Sequence, residues 1–290
     1  MPAATTHVEF ARDVYQSLST KSFVDDTLFY LGSQGPDLFF FSRASGFLPG
    51  SLKKVGDRMH VDKVKETLEY LYHYSRLNPL LKNYYYGYLC HYALDSTCHP
   101  IVFYNARKIH EENGSNEGEA HIALEAIVDL WCLEKHHKSI DDYNVFDDLL
   151  VIGSKKKELA KMYHSLFQDV YDLSIPSSKI QETITSIYRI TKLIRPTSTK
   201  KYNAVYRVES LLKVPRTVSS MMLNNKSMEE TNILNKNHQE YICYGQDNKV
   251  ATSSFEDLYN EALLKVKKWI EDDCVPEPVD LDFSGQYIYE

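Results

Sequence analysis

Glycine and proline are both scarce in this 290-residue chain, at 11 and 10 residues. So few turn-formers argue against an all-β fold built on tight turns. Cysteine is scarce as well. The five residues Cys90, Cys98, Cys132, Cys243 and Cys274 form an odd set with no CxxC pair, which excludes a disulfide framework and fits reduced thiols. No apolar run approaches the ~20 residues that a bilayer-crossing helix needs, so no transmembrane segment is expected. The opening MPAATTHVEFARDV has no charged stretch followed by an apolar one. A signal peptide is therefore not expected, and the expected location is cytoplasmic, with unconventional export left open. Positive charge is also in short supply. A formal net charge of -7 offers no basic footprint for duplex nucleic acid, although bound divalent ions would reverse the local field.

What the chain does have is an ordinary globular balance, 43% hydrophobic and 25% charged, with 22 Tyr and 12 Phe. Its length suffices for one large domain or two small ones. Nothing in it marks a cut, so residues 1–290 are read as a single multi-helix domain. The apolar periodicity is helical throughout. Helices are expected over His7 to Ser19, Asp25 to Tyr30, His60 to Leu77, Leu80 to Thr97 and Glu119 to Lys135. Further helices are expected near 155–171, 177–193, 201–221 and 254–272. Residues 38–58 read as irregular, Pro196 and 223–253 as loops, and the tail VPEPVDLDFSGQYIYE as extended. The expected fold class is all-α.

The chemistry concentrates in two spacings. His91 and Asp95 stand four residues apart, as do His121 and Glu125, so on helices each pair shares one face. An imidazole and a carboxylate one turn apart form a preset chelating pair for zinc. A single such pair is more often a surface ion pair. Here both pairs sit among apolar residues, Cys90 to Leu94 and Ile122 to Ala126, and buried charge is expensive unless paired or coordinated. His99 follows Asp95 by four residues but precedes Pro100, so it is expected at or beyond a helix end.

The ordered pattern HxxxD, His, HxxxE resembles the zinc-dependent phospholipase C family, whose fold is shared with the zinc-dependent single-strand nucleases. Further residues fit the resemblance. Thr6-His7 is similar to the family's early ligand, Gly35-Pro36-Asp37 to its loop aspartate, and His60 to the histidine that follows. The resemblance implies a site of two or three Zn2+ ions, all within residues 1–125. Asp37, His60, His91 and Asp95 would hold one ion, and His99, His121 and Glu125 a second. His7 and a bridging Asp95 would hold the third. Secreted members add the amine of an N-terminal Trp. This chain has none there, and an amine freed at Pro2 by loss of Met1 is the substitute. The activity implied is phospholipase C-like hydrolysis of a phospholipid or other phosphodiester, a metal-bridged hydroxide attacking phosphorus with Asp37 hydrogen-bonded to it. Transient contact with a membrane surface goes with such a substrate. Two rivals stand beside it: a zinc-dependent nuclease or nucleotidase on the same fold, and a non-catalytic metal-binding protein.

The remaining candidates carry blander readings. Leu38-Phe39-Phe40-Phe41 is read as core in preference to an apolar wall beside the metals. Tyr84, Tyr85 and Tyr86 are read as packing. His136 and His137 are read as capping a helix C-terminus. Asp129 is read either as orienting a zinc-bound histidine or as solvated. His73, His110, His164 and His238 have no partner at ligand spacing.

Overall fold

The computed structural model describes residues 4–19, 26–43, 49–139, 145–194, 199–212, 217–220, 222 and 232–289. The chain is all-α, with one small antiparallel ribbon. Its first half comprises helices α1 (Ala4–Ser17), α2 (Asp26–Gly32), α3 (Lys53–Val61), α4 (Val64–Leu77), α5 (Lys82–Asn113) and α6 (Glu117–Lys135). The second half adds α7 (Val145–Asp148), α8 (Gly153–Asp169), α9 (Ser177–Ile194), α10 (Thr199–Leu212), α11 (Thr217–Ser220) and α12 (Phe255–Glu271). Strands β1 (Tyr241–Cys243) and β2 (Lys249–Ala251) pair with Ile242 opposite Val250. Short 3-10 turns cover Gly35–Phe41 and Pro79–Leu81.

Helix α5 is the axis of the fold. From Asn83 to Ala106 nearly every side chain is buried, the pattern of a helix enclosed on all sides. It packs against α2 and α12 most extensively, then α6, α1 and α4. The crossing with α2 is close because glycine meets glycine. A methyl on Gly87 would overlap the carbonyl oxygen of Phe29, and one on Gly32 would overlap that of Tyr84. Helix α5 ends at Gly114, which takes φ +69° and donates its N–H to His110 O; glycine adopts this left-handed form without steric cost. The Asn116 side chain then caps α6 by accepting the N–H of Glu119. One apolar cluster runs from Val8 on α1 to Phe283 near the end of the chain.

Several expected boundaries move. Residues 38–58 are not irregular, since Gly35–Phe41 forms a 3-10 turn and α3 occupies Lys53–Val61; residues 44–48 lie outside the described ones. The helix expected from His60 is two helices, broken at Asp62 and Lys63. Lys63 takes φ +54° and its Nζ reaches Val170 O. The helix expected to stop at Thr97 continues through Pro100 to Asn113. His99 is therefore inside α5 and not at its end. The stretch expected as one helix over 201–221 is α10 and α11, with 213–216 outside the described residues. Asp25, Pro196 and 223–231 also lie outside them. The loop read over 223–253 contains the β1–β2 ribbon, and the tail is not extended: it turns at 282–285 and closes on a bridge between Leu281 and Tyr287.

Candidate metal centre

Three groups on α5 define the floor of a site. His91, Asp95 and His99 follow one another at four-residue steps, so they line a single face of the buried helix. His91 is fully buried and Asp95 5% exposed. Four further segments bring partners to this face. Helix α1 supplies His7, the 3-10 turn Asp37, α3 His60, and α6 both His121 and Glu125.

The ring orientations are fixed from outside. His91 Nδ1 lies 3.0 Å from Ser33 O, His60 Nδ1 2.7 Å from Gly56 O and His99 Nδ1 2.5 Å from Phe283 O. A carbonyl oxygen cannot donate, so each Nδ1 carries a hydrogen and donates it. Each Nε2 is thereby turned inward, as in metal sites where a second hydrogen bond sets the tautomer. There it meets another acceptor. His91 Nε2 lies 3.0 Å from Asp95 Oδ2, His60 Nε2 3.2 Å from Asp37 Oδ1, and His99 Nε2 3.3 Å from Glu125 Oε1. His121 Nε2 approaches the same Glu125 oxygen at 3.1 Å, and His7 Nε2 approaches Asp95 Oδ1 at 3.4 Å. Each of these nitrogen–carboxylate approaches needs either a proton or a metal ion between the two atoms.

The polar bookkeeping agrees. His91 Nε2, His7 Nδ1 and His121 Nδ1 are buried without a hydrogen-bond partner, although buried polar atoms are normally satisfied. The His7 and His91 rings stack at 4.2 Å between centroids, which forbids charge on both. Burial together with His91 holds His7 down at about 3, leaving it neutral with a free lone pair. Burial opposes the charged form of His99, yet Asp95 and Glu125 push it up to about 9. Burial likewise opposes charge on the carboxylates, and the imidazoles prevail. His91, His99 and His7 hold Asp95 well below the usual carboxylate range, and His121 and His99 do the same for Glu125.

All eight residues singled out by the sequence reading meet here. Donor atoms of His7, Asp37 and His91 lie within 4.8 Å of one another, as do those of His60, His91 and Asp95, and those of His99, His121 and Glu125. The last trio has the composition expected for a second ion. His7 groups with Asp37 and His91 in addition to approaching Asp95. The amine expected at Pro2 lies outside the described residues. Nitrogen and carboxylate donors in such trios, with the inward His91 Nε2 left without a hydrogen-bond partner, fit zinc.

The centre opens into a cleft of about 440 Å³ lined by Asp37, Phe40, His60, His99, Phe103 and His121, among others. The Phe run is divided by its 3-10 turn. Leu38, Phe39 and Phe41 join the core, whereas Phe40 stacks on His60 at 5.3 Å and lines the cleft. Phe103 packs on His121 at 4.8 Å. The sequence reading passed over Phe103, although it lies four residues beyond His99 and hence on the same face of α5. It also passed over Ser33 and Phe283, whose contributions are backbone carbonyls that leave no trace in residue type.

The other readings resolve plainly. The hydroxyls of the Tyr84–Tyr86 run point away from the centre, to Tyr163, to Cys274 O and to Asp273. The His136 ring faces Asp13 at 3.3 Å in addition to its place at the C-terminus of α6. His110 and His164 contact the carbonyls of Ser115 and Ile175. Asp129 is neither solvated nor bound to a histidine. It is 2% exposed and accepts the N–H and the hydroxyl of Thr6 at 2.8 and 2.6 Å, pinning the start of α1 beside His7. Asp129→Ala is expected to lose about 1–3 kcal/mol of stability, since it strands two buried donors. It is also expected to weaken metal binding about tenfold with every candidate ligand intact. Urea unfolding and competition with a zinc chelator measure both, and unchanged zinc affinity would show that His7 does not depend on this anchor.

The family model described as zinc dependent phospholipase C matches residues 6–191. No curated protein and no solved structure matches the chain.

Proposed function

The chain belongs to the zinc-dependent phospholipase C family, and from that premise we propose that it is a zinc-dependent hydrolase cleaving a phosphodiester on the glycerol side of a phospholipid or a similar ester. The observation that carries this reading is the convergence of five imidazoles and three carboxylates, all largely buried, at the end of a cleft with a phenylalanine wall. Asp37, His60, His91 and Asp95 would hold one zinc ion, and His99, His121 and Glu125 another. His7 with Asp95 offers the third place. Bound there, zinc supplies Lewis acidity toward phosphoryl oxygens and brings water toward ionisation near neutral pH.

The chain's own groups supply the rest. Asp37 lines the cleft, and His60 and His91 act against its burial to keep it ionised. We assign it to accept a hydrogen bond from the attacking water while it helps to hold the metal. Phe40 and Phe103 exclude water from one side and receive the apolar part of the ester. Reaction of the purified full-length protein with zinc tests the reading. Phosphatidylcholine vesicles, a soluble phosphocholine ester and single-stranded DNA serve as substrates. Release of diacylglycerol and a phosphorylated head group is the expected result. Cleavage of DNA in preference to lipid would move the protein to the nuclease reading. Stoichiometric zinc with no phosphodiester hydrolysed would make it a metal-binding protein without turnover.

Metal binding should depend steeply on pH. In the metal-free protein His99 retains its proton up to about 9, so at neutral pH a ligand proton must leave before Nε2 binds. The sign is therefore that apparent zinc affinity falls as pH falls. The slope is about tenfold per pH unit for each proton displaced, between about pH 6 and pH 8. Calorimetric titration in buffers of differing ionisation enthalpy counts the protons released. A flat affinity profile over that range would contradict the charge state assigned to His99.

A further inference from the structure

The family match ends at residue 191, yet one inward-turned histidine is held by a residue near the end of the chain. Phe283 is fully buried. Its carbonyl accepts His99 Nδ1–H at 2.5 Å, and its N–H donates to His60 O at 3.0 Å. Its ring lies against His60, His91 and Tyr92, at 5.4, 5.5 and 5.2 Å. One residue thus touches three candidate ligands on two helices.

The way this residue is delivered follows from Pro100. Proline has no N–H, so the Ser96 carbonyl loses the partner that an unbroken helix would give it. Into that notch packs Gly285. With φ +70°, its would-be Cβ would stand 2.7 Å from Ser96 O and 2.8 Å from Pro100 Cδ. Only a residue without a side chain fits so close in that left-handed conformation. The turn itself is tied by Asp282, whose Oδ1 accepts the N–H of Ser284 at 2.8 Å and of Gln286 at 3.0 Å. Tyr92 OH anchors one side by donating to Leu281 O, and Gln246 Nε2 anchors the other by donating to Gly285 O.

We propose that the C-terminal turn 281–287 is a positioning element of the metal centre, seated in the Pro100 notch of α5 and holding His99 with its Nε2 toward the cleft. The inference rests on the reading of these histidines as zinc ligands, and it assigns to Phe283, Gly285 and Asp282 a role in metal binding that lies outside the ligand set. Histidine–metal contacts whose outer hydrogen bond is lost typically weaken 10–100-fold.

The test uses the full-length protein as Gly285→Ala, Asp282→Ala and Asp282→Asn. Zinc affinity is read by competition, and the centre is read by visible absorption after cobalt(II) replaces zinc, all below the melting transition. Gly285→Ala forces the turn out of the notch. Asp282→Ala removes the turn's acceptor without adding a clash. Each is expected to weaken the tightest lost zinc by about 10–100-fold and to change the cobalt spectrum. Asp282→Asn keeps an oxygen acceptor and should restore both. Wild-type affinity and spectrum in Asp282→Ala and Gly285→Ala would overturn the proposal while leaving the hydrolase reading intact. Wild-type protein that binds zinc without hydrolysing any ester would overturn the hydrolase reading, and the turn would still be judged by affinity and spectrum. Wild-type protein that binds no metal would overturn both.

Discussion

Asp95→Ala is expected to strip the centre of zinc and to lower turnover by about 10³-fold, the equivalent of several kcal/mol of transition-state stabilisation. Its two oxygens face three of the candidate ligands, all of them imidazoles. One oxygen lies 3.4 Å from His7 Nε2, the other 3.0 Å from His91 Nε2 and 3.7 Å from His99 Nδ1. It therefore spans α1 and two turns of α5. It also carries negative charge in a buried place, where His91, His99 and His7 keep it ionised against the effect of burial. Removing it takes away the carboxylate shared by His7, His91 and His99 and leaves only Asp37 and Glu125 to balance the bound ions. Elemental analysis and phosphodiesterase assays on the same preparation read the outcome. Asp95→Asn separates charge from shape, because the amide fills the space and cannot neutralise a cation. Full zinc content and normal turnover in Asp95→Ala would remove the bridging role assigned to this carboxylate.

Removing the metal should also loosen the whole fold. The candidate ligands come from α1, the 3-10 turn, α3, α5 and α6, so the bound ions together would tie five segments. A ligand present at a thousand times its dissociation constant stabilises the native state by about 4 kcal/mol. In a chain of this size each kcal/mol moves the transition by about 2–4 °C. Chelation is therefore expected to lower the melting temperature by about 10 °C or more, as followed by circular dichroism at 222 nm, the usual helix signal. Added zinc should restore it. Magnesium should not, since it prefers six oxygen ligands in a regular octahedron over clustered imidazoles. A transition indifferent to chelator would mean that the helices hold the histidines together unaided.

The site was legible in the sequence to the extent that it is written in side chains at helical spacing. His91 with Asp95, and His121 with Glu125, announce themselves because a four-residue step on a helix has one geometric meaning. The long periodic helices were legible for the same reason: α6, α8, α9 and α12 lie within about two residues of where their apolar stripes place them. Pro100 misled, because a missing N–H usually ends a helix, whereas here the turn at Gly285 occupies the gap and α5 continues. The break between α3 and α4 rests on the left-handed Lys63, a conformation that residue type does not signal. Phe40 could not be told from Phe39 and Phe41, since a 3-10 turn sends successive rings about 120° apart and residue type does not say which one faces the cleft. Asp129 reads either as orienting a zinc-bound histidine or as solvated, and its partner Thr6 goes unseen because it lies 123 residues away in the chain.

The distance along the chain between His99 and Phe283 has a consequence for biosynthesis. During translation all eight candidate ligands are made by residue 125, but the carbonyl that orients His99 follows about 160 residues later, on the order of 10 s of synthesis. In that interval the partners of His91 and His60, Ser33 and Gly56, are already made, and of these three rings only His99 lacks the carbonyl that orients it. A metal bound then would lack the outer hydrogen bond that our proposal gives His99 and would be held more weakly. On that proposal the centre would reach its full affinity only after residues 281–287 have been made and have packed against Pro100.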